Sequence, residues 1–534
     1  MQNWQDFFQK NKIYISIFAV IFVVGIALRV YGFKDFLIFG FDQARDATLT
    51  SNIIEKHQGL PLLGPHAMGT RFKVGPIYYY FQYISVLIFG NEPKNLAYPD
   101  LFFSILTIPL LLIFLRKYFD KKTSLALTGL WSVSFFTIKF ARFAWNPNSL
   151  PFFVLLLLYA LLELADKEKK KKKNLWLVVA GATLGVGVQL HTLSFLILPI
   201  VTVVFLWFKL GGRQIKLRYI GAIFAVAIVF NIPQVISEIE TRGGNTKAFV
   251  IGVEEQLKIH TDVTADFLTD IYCHAQANSM VVSSFGNNAN CSFVDLLNKN
   301  KANGGSATSA IIMLMRIILS FIFSILSYGA LYYFSKKEKI ANRQNFLNLI
   351  GLFVGVSFLM FFPLANEVTD RYYLIFAFIP IVLLGLLYDY LRKKTQYASI
   401  IATVILAILV LQNGITLKKY FTPFRSIGLM EDSMLSENQA LADFIVSNVG
   451  DQKTAYIDQR QGDWRVLNYF LGSKVSLMGV SKNTGNIDKA IPYFIITDRS
   501  HSDIGEQIQK QLGAYQEIKQ ASFGVFVVTV LKTN

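Results

Sequence analysis

Runs of about 20 consecutive apolar residues recur along this chain, each long enough to cross the hydrocarbon core of a bilayer as a helix. Eleven are read: 13–32, 97–116, 122–141, 149–166, 174–190, 192–209, 217–236, 309–334, 345–365, 371–391 and 397–416. Composition agrees with that reading. Apolar residues make up 53% of the 534 and charged residues 16%, against about 25% charged in a soluble domain. A single water-soluble core, a disordered chain and a disulfide-rich secreted module are excluded. What remains is a polytopic α-helical membrane protein with polar sequence left over for loops and a small domain. The first run is not followed by a small-x-small cleavage pattern, so it is expected to stay as a signal anchor.

Lysines and arginines set the expected orientation. They outnumber acids 52 to 35, a net charge of +17, and they gather in short segments between the apolar runs. Segments 1–12, 116–122, 166–174, 208–218, 335–344 and 391–396 each hold at least two; the densest carries Lys167 and Lys169 to Lys173. Basic loops stay cytoplasmic, so the N-terminus is expected inside and, after an odd number of spans, the C-terminus outside. The positive charge forms no face or stripe of the kind nucleic acid requires, and no nucleic-acid partner is expected. Gly75–Gly90 is apolar but short; it is read as a re-entrant or juxtamembrane helix. A twelve-span arrangement, which would carry 116–122 outside, stays open.

Two units follow. Residues 1–416 form a membrane domain, with outer loops at 33–96 and 237–308, and residues 417–534 form an extracytoplasmic tail. The tail reads as a small α/β domain. Strands are expected at Thr454–Asp458, Lys474–Met478, Tyr493–Thr497 and Phe523–Leu531, and Ser436 with Gln439 reads as a capping box opening a helix. Both cysteines, Cys273 and Cys291, fall in the second outer loop. A disulfide between them, contributing about 3 kcal/mol by closing a short loop, and two free thiols are equally open.

The first outer loop carries the chemistry-bearing pattern. Phe41-Asp42-Gln43-Ala44-Arg45-Asp46 follows the first span, and on a helix starting at Asp42 the residues Asp42, Arg45 and Asp46 share one face. The plain alternative is a capped surface helix with a local ion pair of about 0–1 kcal/mol. Further polar residues lie on the same expected side: Lys73 and Tyr78; Lys139, Arg142 and Asn146; His191; Arg316; Arg371 and Tyr372. Ionisable groups in or beside spans are costly and usually face a cavity, so these could converge on one pocket with an acid and several bases. Each also has a plain reading: a helix-to-helix hydrogen bond for His191, snorkelling for Lys139, an interfacial anchor for Arg371, a backbone carbonyl for Arg316.

With these residues in order, the chain resembles the GT-C glycosyltransferases, and within them the protein O-mannosyltransferase and aminoarabinose-transferase superfamily (PMT-like), bacterial branch. Asp42-Gln43-Ala44-Arg45 is similar to that family's Asp-Glu-x-Arg opening, with Gln43 in the second place. Lys73-Val74-Gly75-Pro76-Ile77-Tyr78 is similar to its Lys-Pro-Pro-Leu-x-Tyr segment, with Gly75 for one proline, and Arg371-Tyr372 to its late Arg-Tyr pair. The resemblance spans about 1–416. One departure stands out: many relatives have a second acid in the next outer loop, where Arg142-Phe143-Ala144-Trp145-Asn146-Pro147 offers Asn146. That leaves a divalent metal open, and Asp46 as the stand-in acid.

The resemblance implies inverting transfer of a sugar from a polyprenyl-phosphate donor, reached from the outer leaflet, to a glycan, lipid or protein acceptor. Asp42 is then the general base, with Asp46 as fallback base or metal ligand. Arg45 orients the base or meets phosphate; Lys73, His191 and Arg371 meet the donor phosphate; Tyr78 and Tyr372 meet sugar or prenyl chain; Arg142, Asn146 and Arg316 are further candidates for substrate contact. Two alternatives stay open: a lipid-linked oligosaccharide flippase or transporter, and an O-antigen ligase or polymerase.

Overall fold

The computed structural model describes residues 2–67, 70–166, 172–259, 262–284, 307–392, 394–422, 433–449, 453–458, 464–472, 474–480, 491–498 and 516–532. Helix α1 (Gln2–Val30) leads through α2 (Phe41–Glu55) and α3 (Ile77–Phe89) to α4 (Tyr98–Arg116). Then come α5 (Lys121–Val133), α6 (Phe135–Lys139), α7 (Leu150–Ala165), α8 (Lys173–Leu190) and α9 (Thr192–Lys209). After these follow α10 (Arg213–Phe230), α11 (Ile232–Glu240), α12 (Gly244–Ile259) and α13 (Val263–Ser283). The membrane part closes with α14 (Ala307–Lys337), α15 (Ala341–Phe361), α16 (Ile379–Arg392) and α17 (Gln396–Tyr420).

Among the described residues, 8 helices are long and apolar enough to cross a membrane, and up to 10 when two bent pairs each count as one span. The pairs are α10 with α11, bent by 73°, and Asp370–Phe376 with α16, bent by 59°. The chain is an integral, multi-pass membrane protein. The short apolar segment after Gly75 becomes α3, of 13 residues, below spanning length.

Two expectations need correction. The run at 122–141 is not one helix but α5 and α6, broken at Ser134, whose backbone is extended. Bare backbone groups inside a bilayer require partners, and the break has them. Ser134 Oγ donates to the Val281 carbonyl (2.7 Å), Asn413 Oδ1 accepts from the Phe135 amide (2.8 Å), and Arg29 donates to the Ser132 carbonyl (2.9 Å). The second correction concerns 237–308, read as an outer loop. Its stretch Val263–Ser283 is helix α13, packed into the helical bundle with Tyr272, Cys273, Ala277 and Met280 in the main apolar cluster. Asp266, Asp270, His274 and Asn278, four residues apart, lie buried along it. Those polar groups interrupt the hydropathy window that would have marked it. Cys273 sits on this helix; Cys291, and the pairing expected of it, lies outside the described residues, as does the lysine run at 167–171.

The tail holds α18 (Leu435–Val449), α19 (Trp464–Leu471) and strands β1 (Thr454–Asp458), β2 (Ser476–Val480), β3 (Tyr493–Asp498), β4 (Gln516–Phe523) and β5 (Phe526–Lys532). The sheet order is β2-β1-β3-β5-β4. The β1/β2 and β1/β3 pairs are parallel, while β3/β5 and β4/β5 are antiparallel. Strand β4 was not expected; it forms a hairpin with β5. The expected capping box at Ser436 also shifts: α18 starts at Leu435, Glu437 accepts from the Met434 amide (2.9 Å), and Ser436 Oγ donates to the Asp35 carbonyl (3.0 Å).

Candidate active site

Asp42 enters the site from the first turn of α2. Glycine at position 40 starts the helix, and its amide donates to Gln43 Oε1 (2.9 Å). The Gln43 amide in turn donates to the Ala144 carbonyl (2.7 Å), which ties α2 to the loop carrying Trp145. From there two bonds fix the Asp42 carboxylate: Arg45 donates to Oδ1 (2.7 Å) and Trp145 Nε1 to Oδ2 (2.9 Å). Its side chain keeps 29% exposure, so it remains reachable.

Asp46 contrasts with it. Fully buried, it receives two bonds from Arg45 (2.8 and 2.7 Å) and a longer one from Gln82 (3.4 Å). Burial pushes its carboxyl up, to about 6, against the opposing pull of Arg45. Arg45 thus bridges both acids.

Trp145 joins the acid helix to the far side of the site. The Arg371 guanidinium lies 4.9 Å from its ring centroid and 5.4 Å from that of Tyr372. Tyr372 in turn meets the His191 ring edge-on at 4.9 Å. Asp42, Arg45, Arg371, Tyr372 and His191 are therefore linked by consecutive contacts through one indole. Arg371 and Tyr372 stand on the bent turn Asp370–Phe376, which Lys139 anchors by an ion pair to Asp370 (3.2 Å).

His191 sits between α8 and α9, where its Nδ1 accepts from the Leu193 amide (3.2 Å). Burial first, and Arg371 second, push this imidazole down to about 3. With Nδ1 accepting, the neutral ring carries its proton on Nε2 and offers a hydrogen-bond donor. Lys73 lies on a short bridge with His66; its amide and carbonyl are both held by Asn245 (2.8 and 2.9 Å). Burial first, then Lys73, lowers the His66 imidazole, with Arg45 adding to the same effect. Lys73 and Arg45 therefore share a basic neighbourhood.

Other expected contacts are placed differently. Tyr78 is wholly buried and its hydroxyl donates to Asp100 (2.7 Å), so it supports the site from behind. Its neighbour Tyr79 is the tyrosine that reaches the acid helix, hydrogen-bonded to Arg45 and raised above its ordinary value by burial and Asp46. Arg142 is also wholly buried, donating to the carbonyls of Arg29 (2.7 Å), Tyr31 (2.7 Å) and Gly32 (3.0 Å). It closes the C-terminal end of α1, whose last carbonyls have no helical partner, and is corrected from a substrate contact to a helix cap. Asn146 is half-buried and donates to the Leu190 carbonyl (2.6 Å), joining the Trp145 loop to α8. Arg316 stands on the exposed face of α14.

Asp100 and Trp145 were missed. Asp100, in the first turn of α4, is wholly buried and accepts from Ser149 Oγ (2.6 Å), Tyr78 Oη and the Trp145 amide (3.1 Å). It holds the backbone of the residue that bonds Asp42. An aspartate opening an apolar run is the signal that could have found it. Gly75, where the family pattern has proline, lies under Gln189, whose side chain leaves no room for a Cβ and accepts from the Ile77 amide (3.3 Å).

The donor set does not fit a divalent cation. A guanidinium already lies between the two carboxylates, and among the described residues no three acidic, imidazole or thiol groups come together.

Residues 73–236 match the family described as dolichyl-phosphate-mannose-protein mannosyltransferase. No curated protein is similar enough in sequence to match the chain. In fold it is similar to apo ArnT from Cupriavidus metallidurans, with a TM-score of 0.54 at 12% identity, covering 98% of each chain. ArnT from the same organism bound to undecaprenyl phosphate matches with a TM-score of 0.53 at 12% identity, over 97% of this chain and 98% of that one. The Archaeoglobus fulgidus oligosaccharyltransferase AglB, in complex with an inhibitory peptide and a dolichol-phosphate, gives 0.52 at 13% identity, over 92% of this chain and 70% of that one. The matched segment and the shared fold agree with the order of motifs along the sequence: the chain is similar to the PMT-type mannosyltransferases over 73–236 and shares the overall fold of ArnT.

Proposed function

We propose that the chain moves a sugar from a polyprenyl-phosphate donor to an acceptor hydroxyl at the outer membrane face, with inversion at the anomeric carbon. The observation that carries this reading is the contact chain from Asp42 through Trp145 and Arg371 to His191, which sets a reachable carboxylate opposite a fixed cation. Solved relatives in fold hold undecaprenyl phosphate and dolichol-phosphate, which supports a lipid phosphate as the ligand class.

In this reading Asp42 takes the acceptor proton as the acceptor oxygen attacks the anomeric carbon. The anomeric carbon–oxygen bond to phosphate breaks, and polyprenyl phosphate leaves with the electron pair. Arg371 and Lys73 meet the growing charge, and His191 donates a neutral hydrogen bond, in a site where fixed donors are worth more than in water. Arg45 orients Asp42 by its bond to Oδ1 and neutralises Asp46. Tyr372 flanks the sugar or the prenyl chain. Basic loops inside and the tail outside are the orientation that the charge pattern supports.

Purified protein is incubated with radiolabelled polyprenyl-phosphate hexoses and candidate acceptors. Release of polyprenyl phosphate is expected, and Asp42→Asn is expected to reduce it by about 10³-fold. Normal turnover in that variant removes the base. Movement of intact donor across liposomes without release instead favours a flippase.

A further inference from the structure

We propose that Arg465 of the C-terminal domain is a positioning residue of this site, acting through Phe41 on the adjoining Asp42. The inference rests on Asp42 being the base, and extends that reading to a domain that carries no catalytic motif of its own.

The segment leading into α2 is built jointly with the tail. The Phe39 amide donates to the Ser433 carbonyl (2.9 Å), and the Leu435 amide donates to the Leu37 carbonyl (2.7 Å). Asn438 Nδ2 donates to the Phe39 carbonyl (3.0 Å), and Tyr420 Oη to that of Phe36 (3.0 Å). These bonds leave residues 37–39 with tail partners, and Phe36 with the end of α17, immediately before Gly40 and Asp42.

Helix α19 then lies along α2 itself. The Phe39 ring sits 5.5 Å from Tyr469 and 5.2 Å from Phe470. Tyr469 shares a hydrogen bond with Ser51, three turns further along α2. At the catalytic end, the Arg465 guanidinium carbon stands 3.8 Å from the centre of the Phe41 ring, a close cation–π stack. Phe41 is the first residue of α2 and Asp42 the second. A displacement of Phe41 turns the first helical turn, and with it the carboxylate whose two oxygens are held by Arg45 and Trp145. Reacting groups lose about 10²-fold for a misplacement near 1 Å, so a small rotation has a large consequence for turnover and little for lipid binding, which relies on Lys73 and Arg371.

The full-length enzyme carries the test, with kcat from polyprenyl-phosphate release and donor affinity from separate equilibrium binding. Arg465→Ala is expected to lower kcat about tenfold with donor Kd within about twofold, a displacement smaller than the one just considered. Arg465→Lys, which keeps a cation over the ring, recovers most of the loss. Phe41→Leu loses as much as Arg465→Ala, and the double variant loses no more than either, as expected for one contact. Wild-type kcat in Arg465→Ala, equal loss in Arg465→Lys, or additive losses overturns the proposal while leaving Asp42 as base. Normal turnover in Asp42→Asn removes the base, and with it this route of action, whatever the Arg465 variants do.

Discussion

Arg29, Arg142, Arg45 and Arg371 lie around the candidate site, and they divide into two kinds. Arg29 and Arg142 are wholly buried and donate chiefly to backbone carbonyls and hydroxyls: Gly25, Ser132, Ser104 and Thr137 for the first, Arg29, Tyr31 and Gly32 for the second, whose guanidinium also lies against the Phe33 and Phe421 rings. Arg45 and Arg371 are partly exposed and address carboxylates or ring faces. The first kind repairs the backbone, where a span ends or breaks; the second holds charge where a ligand can reach it. A charge near a span therefore serves structure where it is buried against backbone carbonyls, and is placed to serve function where it addresses a carboxylate or ring that a ligand can reach. Arg142 is the sharpest case, because its place within a motif-like stretch suggested a substrate contact.

The largest effect expected from this division is at Arg371. Arg371→Gln removes the fixed cation over Trp145 and is expected to lower kcat/KM by about 10²–10³-fold, or about 3–4 kcal/mol, with the melting temperature unchanged. Arg371→Lys restores part of it, since an ammonium keeps the charge but not the planar stack. A variant that melts early and turns over normally would move Arg371 into the backbone-repair group.

Arg142→Met is expected to do the reverse. It strips several α1 carbonyls of their donor at once, a loss of about 3 kcal/mol in stability, seen as poor yield and a lower melting temperature in detergent. The folded fraction should retain kcat within about threefold, a spread of less than 1 kcal/mol. Full stability with lost donor binding would restore the substrate role.

How much of this was legible follows from the same bonding argument. Long apolar runs announce themselves, so nearly all spans and the sites of β1 and β3 were readable. Helix α13 was not, because Asp266, Asp270 and His274 are polar by composition and buried by tertiary packing. The Asp42-x-x-Arg45 helix was readable from spacing. Trp145 and Asp100 were not recognised, since an indole in an aromatic stretch and an acid at a span's start each have a bland reading until the indole is seen on Asp42 and the Trp145 backbone amide on Asp100. The choice between Tyr78 and Tyr79 needs the rotation of α3, which one-dimensional spacing leaves undetermined.

Asp46 gives a smaller effect with a definite pH signature. Its carboxyl is raised to about 6 by burial, from an ordinary 3.8. The folded protein thus binds this proton more tightly than the unfolded chain. The stability it contributes is full below about pH 4, falls as pH rises to about 6, and is absent above. The total change is at most about 3 kcal/mol. Asp46→Asn should flatten that window in melting temperatures measured from pH 4 to 8. A slope of opposite sign would mean that Arg45 outweighs burial and that Asp46 is an ordinary ion-pair partner.

Arg316 marks the small end of the comparison. It was expected among the substrate contacts because it lies inside an apolar run, where a charge normally signals a cavity. Its place on the exposed face of α14 gives it a different physical setting: a long side chain there can carry its head toward the interface while its stem covers apolar surface. Arg316→Gln is then expected to change kcat/KM less than about twofold and stability by less than about 0.5 kcal/mol. The informative measurement is donor Kd in this variant beside Arg371→Gln. A tenfold weakening at Arg316 would show that an exposed arginine also meets the lipid phosphate, and the division into backbone-bound and ligand-facing arginines would need a third kind.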